Sequence, residues 1–141
     1  MTFTVGWDYT RDQIRAVVGG GTGDALPHRD GTVVAGCFRP DLNPDAPDMV
    51  LPGSGPQARH WAEQFSRQTE PVPVFLKIGT DRWCYVGRYR VAARSLDPAV
   101  IDGHARAAGR GDVSQVLFLE AADPRSACGG RLDERAAESG E

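Results

Sequence analysis

Three histidines, three cysteines and three Pro-Asp pairs are the residues whose types could do chemistry, and their spacing decides which chemistry is open to them. His28, His60 and His104 stand far apart, as do Cys37, Cys84 and Cys128. Neither set has the short Cys-x2-Cys or His-x3-His spacing that builds a local zinc site, so no metal is expected. Cys37 and Cys84 fall inside apolar runs, where cysteine packs as a small hydrophobe. A metal-dependent nuclease of the Pro-Asp…Asp/Glu-x-Lys type could start from Pro40-Asp41, Pro44-Asp45 or Pro47-Asp48. It would then need an acid two residues before a lysine, and Phe75 precedes Lys77, the only lysine. The chain is therefore expected to bind without catalysis and without a cofactor.

Two segments carry side chains suited to binding. Arg39 to Asp48 holds three prolines, three aspartates and Asn43. Proline stiffening lowers the entropy lost when a loop grips a ligand. The alternative is an ordinary Pro/Asx-rich turn. The second segment, Arg82 to Val91, interleaves Trp83, Tyr85 and Tyr89 with Arg82, Arg88 and Arg90. Strand alternation sets Trp83, Tyr85, Tyr89 and Val91 on one face and the arginines on the other. The alternative is an aromatic core with a solvated arginine face. Gly87 interrupts the pattern, and a bulge there would flip the register.

The elements that must position these segments are legible from period and caps. Thr10-Arg11-Asp12-Gln13 is a capping box opening a helix over 11–18, which ends at the glycine-rich stretch 19–23. That stretch follows a helix and leads into no Gly-Lys-Ser/Thr, so it reads as a plain loop. Thr32 to Phe38 reads as one buried strand, and Met49-Val50-Leu51 as a short one. Ser54-Gly55-Pro56-Gln57 matches a second capping box, opening a helix over about 56–68 with Ala58, Trp61, Ala62 and Phe65 on its apolar stripe. Val72–Ile78 and Arg82–Val91 form a hairpin, and Val113–Glu120 is the last strand. Four or five strands with two inserted helices predict an α+β fold, a small, partly open β-barrel.

The 141 residues suit one domain over 1–121, followed by an acidic tail over 122–141 too poor in large apolar residues to fold. The net charge of −3 is unevenly spread. Residues 1–95 hold 11 Lys+Arg against 10 Asp+Glu, and residues 96–141 hold 5 against 9. Charge thus neither selects nor excludes a nucleic-acid partner. No run approaches the roughly 20 apolar residues that span a bilayer. The first residues lack the basic start and apolar stretch of a signal peptide. A cytoplasmic, nucleoid-associated address is expected, with no membrane partner.

Asp30-Gly31-Thr32-Val33-Val34, Asn43-Pro44-Asp45-Ala46-Pro47, Pro73-Val74-Phe75-Leu76-Lys77 and Trp83 to Val91 together resemble the modified-DNA reader domains of type IV restriction systems. Those are similar to SRA (SET-and-RING-associated) domains and the wider PUA-like barrels. The resemblance spans roughly residues 9–120, without the Tyr-Asp-Gly signature of the best-known SRA sequences. It implies a module that flips a modified base, most readily 5-methylcytosine, out of double-stranded DNA and holds it by stacking and edge hydrogen bonds. On that basis Phe38, Trp83, Tyr85 and Tyr89 are candidate pocket walls, and Asn43, Asp45 and Asp48 are candidates for the polar edge. Arg39, Lys77, Arg82, Arg88 and Arg90 are candidate DNA-backbone contacts. A separate nuclease or effector protein would act downstream. A PUA-like RNA or modified-nucleotide binder and a phosphorothioate-DNA reader are the alternatives.

Overall fold

The computed structural model describes residues 3–122. In chain order the elements are β1 (Asp8–Tyr9), α1 (Arg11–Val18), β2 (His28–Arg29), β3 (Thr32–Val33), β4 (Gly36–Phe38) and β5 (Met49–Val50). They continue with α2 (Pro56–Arg67), β6 (Val72–Gly79), β7 (Arg82–Ser95), α3 (Pro98–Ala107) and β8 (Val116–Ala121). Among the described residues the fold is α+β, with three helices and a mixed six-stranded sheet. Its main path runs β4-β6-β7-β8-β5, with β1 beside β7. The β4–β6 pairing is parallel and the others are antiparallel. β4 and β5 are the two ends of the path, and no ladder joins them among the described residues. The acidic tail expected over 122–141 lies, beyond its first residue, outside the described residues.

The first helix forms as its sequence requires. Thr10 Oγ1 accepts from the Gln13 amide at 3.1 Å, and Gln13 Oε1 accepts from the Thr10 amide at 2.9 Å. Two N–H groups that a helix start leaves orphaned are thereby satisfied. Gly19 ends the helix at φ 85°, a conformation that glycine adopts without steric cost. The second capping box does not form. Gly55 is the N-cap of α2 and has no side-chain cap bond, so the helix starts on Pro56, whose fixed φ suits the first turn. A third helix, α3, follows Asp97, whose carboxylate accepts from the Ala99 amide at 2.9 Å. It is an addition to the two helices expected.

The strand expected over Thr32–Phe38 is split. Gln68 at the end of α2 accepts from the Val33 amide at 2.8 Å and donates to the Val33 carbonyl at 3.0 Å. Those backbone groups are thus taken by a side chain. The chain leaves the β2–β3 hairpin there and joins the main sheet at Gly36, beside Val74.

The sheet buries both faces. Val72 and Val74 of β6 pack with Ala62 and Phe65 of α2, while Phe75 points the other way, toward Ile14 of α1. On that second face, at the far end, Met49 and Val116 pack with Val100 and Ile101 of α3. Strand alternation explains the division. β7 obeys it only up to a bulge. Val74 pairs with Gly87 and Phe75 with Tyr85, which leaves Val86 with no opposite residue. Gly87 takes φ 119°, open to glycine and strained for other residues. The bulge shifts the parity of the strand. Trp83 and Tyr85 therefore join the α1 face, while Val86, Tyr89 and Val91 join the α2 face. The single aromatic face expected for Trp83, Tyr85, Tyr89 and Val91 does not exist.

Candidate functional site

Residues 39–48 cross from the end of β4 to β5, spanning the gap between the two ends of the sheet. The loop is held from within. The Arg39 carbonyl accepts from the amides of Leu42 at 3.0 Å and Asn43 at 2.9 Å. The Asn43 side chain donates to the same carbonyl at 3.3 Å and accepts from the Leu51 amide at 2.8 Å. Asn43 is buried, so its amide is spent on shaping the loop rather than offered to a ligand edge. Arg110, just past α3, braces the same turn from below. Its Nη1 donates to the carbonyls of Leu42 at 3.0 Å and Leu51 at 2.8 Å. Its Nε and Nη2 meet both oxygens of Asp112, at 2.9 and 3.2 Å. Such a forked pair is geometrically specific.

Under this loop lies a cavity of about 350 Å3. Phe38 and Trp61 supply its aromatic surface, Leu26, Val50 and Ala58 its aliphatic surface, and Asp24, Asn43, Gln57 and Arg110 its polar side chains. Each wall has a cause. Gly36 leaves room for the Phe38 ring, since a Cβ at that position would sit 2.8 Å from two ring carbons. Trp61 stacks on His28, with ring centroids 3.6 Å apart, and meets the edge of His60 at 4.6 Å. Its indole Nε1 donates to Gln57 one helical turn earlier at 3.3 Å. The glycine-rich loop is moored by Arg11, whose Nη2 donates to the carbonyls of Gly21 at 3.2 Å and Asp24 at 2.8 Å.

The candidates proposed from the sequence divide around this cavity. Phe38 and Asn43 line it; Asp45, Asp48, Trp83, Tyr85 and Tyr89 do not. Asp45 and Asp48 are exposed. Trp83, Tyr85 and Tyr89 are between 5% and 8% exposed and form core. The Trp83 ring has the Arg11 guanidinium 5.1 Å and the Lys77 ammonium 5.6 Å from its centroid. Its buried Nε1 has no hydrogen-bond partner among the described residues. Three of the arginines expected at phosphates face carboxylates: Arg39 with Asp41 at 2.6 Å, Arg82 with Asp8 at 2.9 Å and Arg90 with Glu120 at 2.8 Å. Arg88 is exposed. Asp24, Gln57, Trp61 and Arg110 were not singled out for a site by residue type. Trp61 carried the only signal, as a large aromatic on an amphipathic helix beside a cap.

Titration follows these contacts. Hydrogen bonds from Arg82, Arg39 and Arg110 hold the carboxyls of Asp8, Asp41 and Asp112 below their ordinary value. Burial pushes the Cys37 thiol up to about 12, so it stays protonated and unreactive at neutral pH. No group of three His, Cys, Asp or Glu side chains could hold a metal ion among the described residues. No helix among them is long and apolar enough to cross a membrane.

These features define an α+β protein with a ligand-sized cavity at the gap in its sheet. The chain belongs to the family described as Domain of unknown function (DUF6697), which matches residues 8–106. That match ends inside α3, ahead of Arg110 and β8. No curated protein and no solved structure matches the chain.

Proposed function

We propose that this protein binds a modified base of double-stranded DNA, without catalysis, by taking the flipped base into the cavity between Phe38 and Trp61. The observation that carries the reading is the cavity itself. Its volume of about 350 Å3 falls in the usual range for small-ligand pockets, and aromatic surface lines a space otherwise mostly aliphatic. A planar heterocycle suits such walls. Stacking returns about 1–3 kcal/mol per base, against a few kcal/mol for unpairing and extruding it. Leu26 and Ala58 offer apolar contact to a 5-methyl group. In this reading the sheet, open between β4 and β5, is a partly open PUA-like barrel, and the bound base sits at its opening. Arg39, next to Phe38, is the nearest phosphate contact in sequence, and it would exchange Asp41 for a phosphate on binding. Cleavage of the marked DNA would fall to a separate effector protein.

The test is a fluorescence-anisotropy titration of one duplex sequence in several forms: unmodified, 5-methylated, hydroxymethylated, phosphorothioated, and as RNA. The 5-methylated duplex should bind about tenfold more tightly than the plain one, a difference of about 1.4 kcal/mol. Trp61→Ala should remove that preference. Raised salt should weaken every arm, because phosphate contacts release counterions. Equal affinity across the DNA arms would end the reading, and preference for the RNA or phosphorothioate arm would redirect it.

A further inference from the structure

Two cations that belong to no ion pair among the described residues, Arg11 and Lys77, meet at Trp83. The strand register gathers them. Lys77 pairs with Trp83 across the β6–β7 ladder, and Tyr9 of β1 pairs with Trp83 two residues ahead of Arg11. The capping box then turns the chain into α1, with the Arg11 guanidinium 5.1 Å from the centroid of the Trp83 ring. The Lys77 ammonium lies 5.6 Å from the same centroid. Arg11 is 8% exposed and Trp83 7%. Of the Arg11 side chain only Nη2 donates, to the carbonyls of Gly21 and Asp24. Its Nε and the Trp83 Nε1 are buried without an acceptor among the described residues. The acids nearby are engaged elsewhere. Asp81 accepts from the Arg11 backbone amide at 3.0 Å, and Asp24 gives Arg11 its carbonyl. Arg39 pairs with Asp41 and holds that carboxyl low, to which Lys77 adds at a distance.

We infer that Arg11, Lys77 and Trp83 form a site for one phosphate group, separate from the cavity, which none of the three lines. The inference does not depend on the base-binding reading. These side chains offer donors only. A buried N–H without an acceptor forfeits its hydration, and a buried cation without a counter-charge forfeits more. A tetrahedral oxyanion answers both deficits at once. It carries acceptors on every side, so a single ion can bond all three side chains, and its charge makes each bond a strong one. A carboxylate, with two oxygens, reaches fewer donors. Lys77 is the half-buried member, so the ion enters past its ammonium.

The experiment titrates the nitrogen-15-labelled full chain with inorganic phosphate, with chloride keeping the ionic strength constant. It follows the side-chain N–H signals of Arg11 Nε and Trp83 Nε1, with the indoles of Trp7 and Trp61 as internal controls. The Arg11 and Trp83 signals should move together along one saturating curve while the other indoles stay in place. Lys77→Gln should weaken that binding roughly fivefold. Trp83→Phe keeps a ring, removes the donor and should weaken it by a similar factor. Arg11 itself is left in place, because its Nη2 anchors the glycine-rich loop. Arg15→Gln removes an exposed charge one turn along α1 and should leave the curve unchanged. A second arm adds unmodified DNA duplex. Duplex that displaces phosphate from the two groups would assign the site to nucleic-acid phosphates, and duplex without effect would assign it to the free ion. Signals that fail to saturate, that chloride moves equally, or that titrate alike in parent and Lys77→Gln would overturn the inference. So would cross-peaks from both groups to water that phosphate leaves unchanged, since a bound water would then be their acceptor.

Discussion

The imidazole of His28 lies flat on the indole of Trp61, with ring centroids 3.6 Å apart and planes 11° from parallel. The contact ties the β2–β3 hairpin to α2 and fixes the orientation of one cavity wall. Aromatic ring pairs add about 0.5–1.5 kcal/mol beyond their area. His28→Ala should therefore cost about that much stability and free the indole to reorient. In a Trp7→Phe background, which removes an indole 66% exposed, acrylamide should quench the remaining fluorescence more in His28→Ala than in the parent. Unchanged quenching would mean that the stack does not hold Trp61.

Gly36 and Phe38 form a second coupled pair. A Cβ on Gly36 would sit 2.8 Å from the ring carbons Cε2 and Cζ of Phe38. Gly36→Ala should push the ring off its position, at the roughly 1–3 kcal/mol typical of overpacking. Adding Phe38→Leu should recover part of that loss, since the shorter side chain vacates the space. Urea unfolding of the two single variants and the double variant measures the coupling; strict additivity would contradict the contact.

Tyr85 and Tyr89 are core on opposite faces of the sheet, 8% and 5% exposed. Replacing either with alanine should cost about 3–5 kcal/mol, as aromatic-to-alanine changes in a core do. Phenylalanine at either position should be tolerated much better. Thermal melts decide it: a Tyr→Ala melting point equal to the parent's would return these rings to the surface and reopen them as pocket walls.

The Arg110–Asp112 fork makes the cavity sensitive to acid. The Asp112 carboxyl titrates below its ordinary 3.8 when folded, chiefly because Arg110 donates to it. A depressed folded value means the pair's contribution is complete above about pH 4 and fades as pH falls through the lower folded value. The Asp112 side chain is 61% exposed, so the stability involved is small. The local effect should be visible first: amide shifts of Leu42, Asn43 and Leu51 should move together with Asp112 on acidification below 3.8. Asp112→Asn should abolish that step. A step that survives the substitution would assign it to another group.

Much of the frame was legible where local chemistry dictates it. The Thr10–Gln13 box, the β6–β7 hairpin around its turn and the apolar stripe of α2 depend on residues within a few positions of one another. The bulge at Gly87 was marked by the glycine alone. Other elements left fainter marks. α3 carries Asp97 and Pro98 at its start, but its small alanines and glycine dilute the helical period. β1 and β2 are two residues each, too short to show alternation. Asn43 and the Pro/Asp loop stood out by composition; of those residues Asn43 lines the cavity, while Asp45 and Asp48 are exposed. Asn43 faces inward and satisfies the loop's own backbone, as a buried amide must.

The sequence by itself determined the α+β class, two of the helices, the hairpin and the absence of local metal or nuclease spacing, because each follows from neighbours along the chain. Only the tertiary structure decided which rings line a cavity and which fill the core. One unpaired residue in β7 reverses the facing of the strand from there to the next register shift at Val91/Ala93, so Trp83 and Tyr89 part company although six positions separate them. The cavity gathers Asp24, Phe38, Trp61 and Arg110 from a loop, a strand end, a helix and a turn. No spacing rule links those positions. They meet because the sheet ends at β4 and β5 and the chain must bridge that gap.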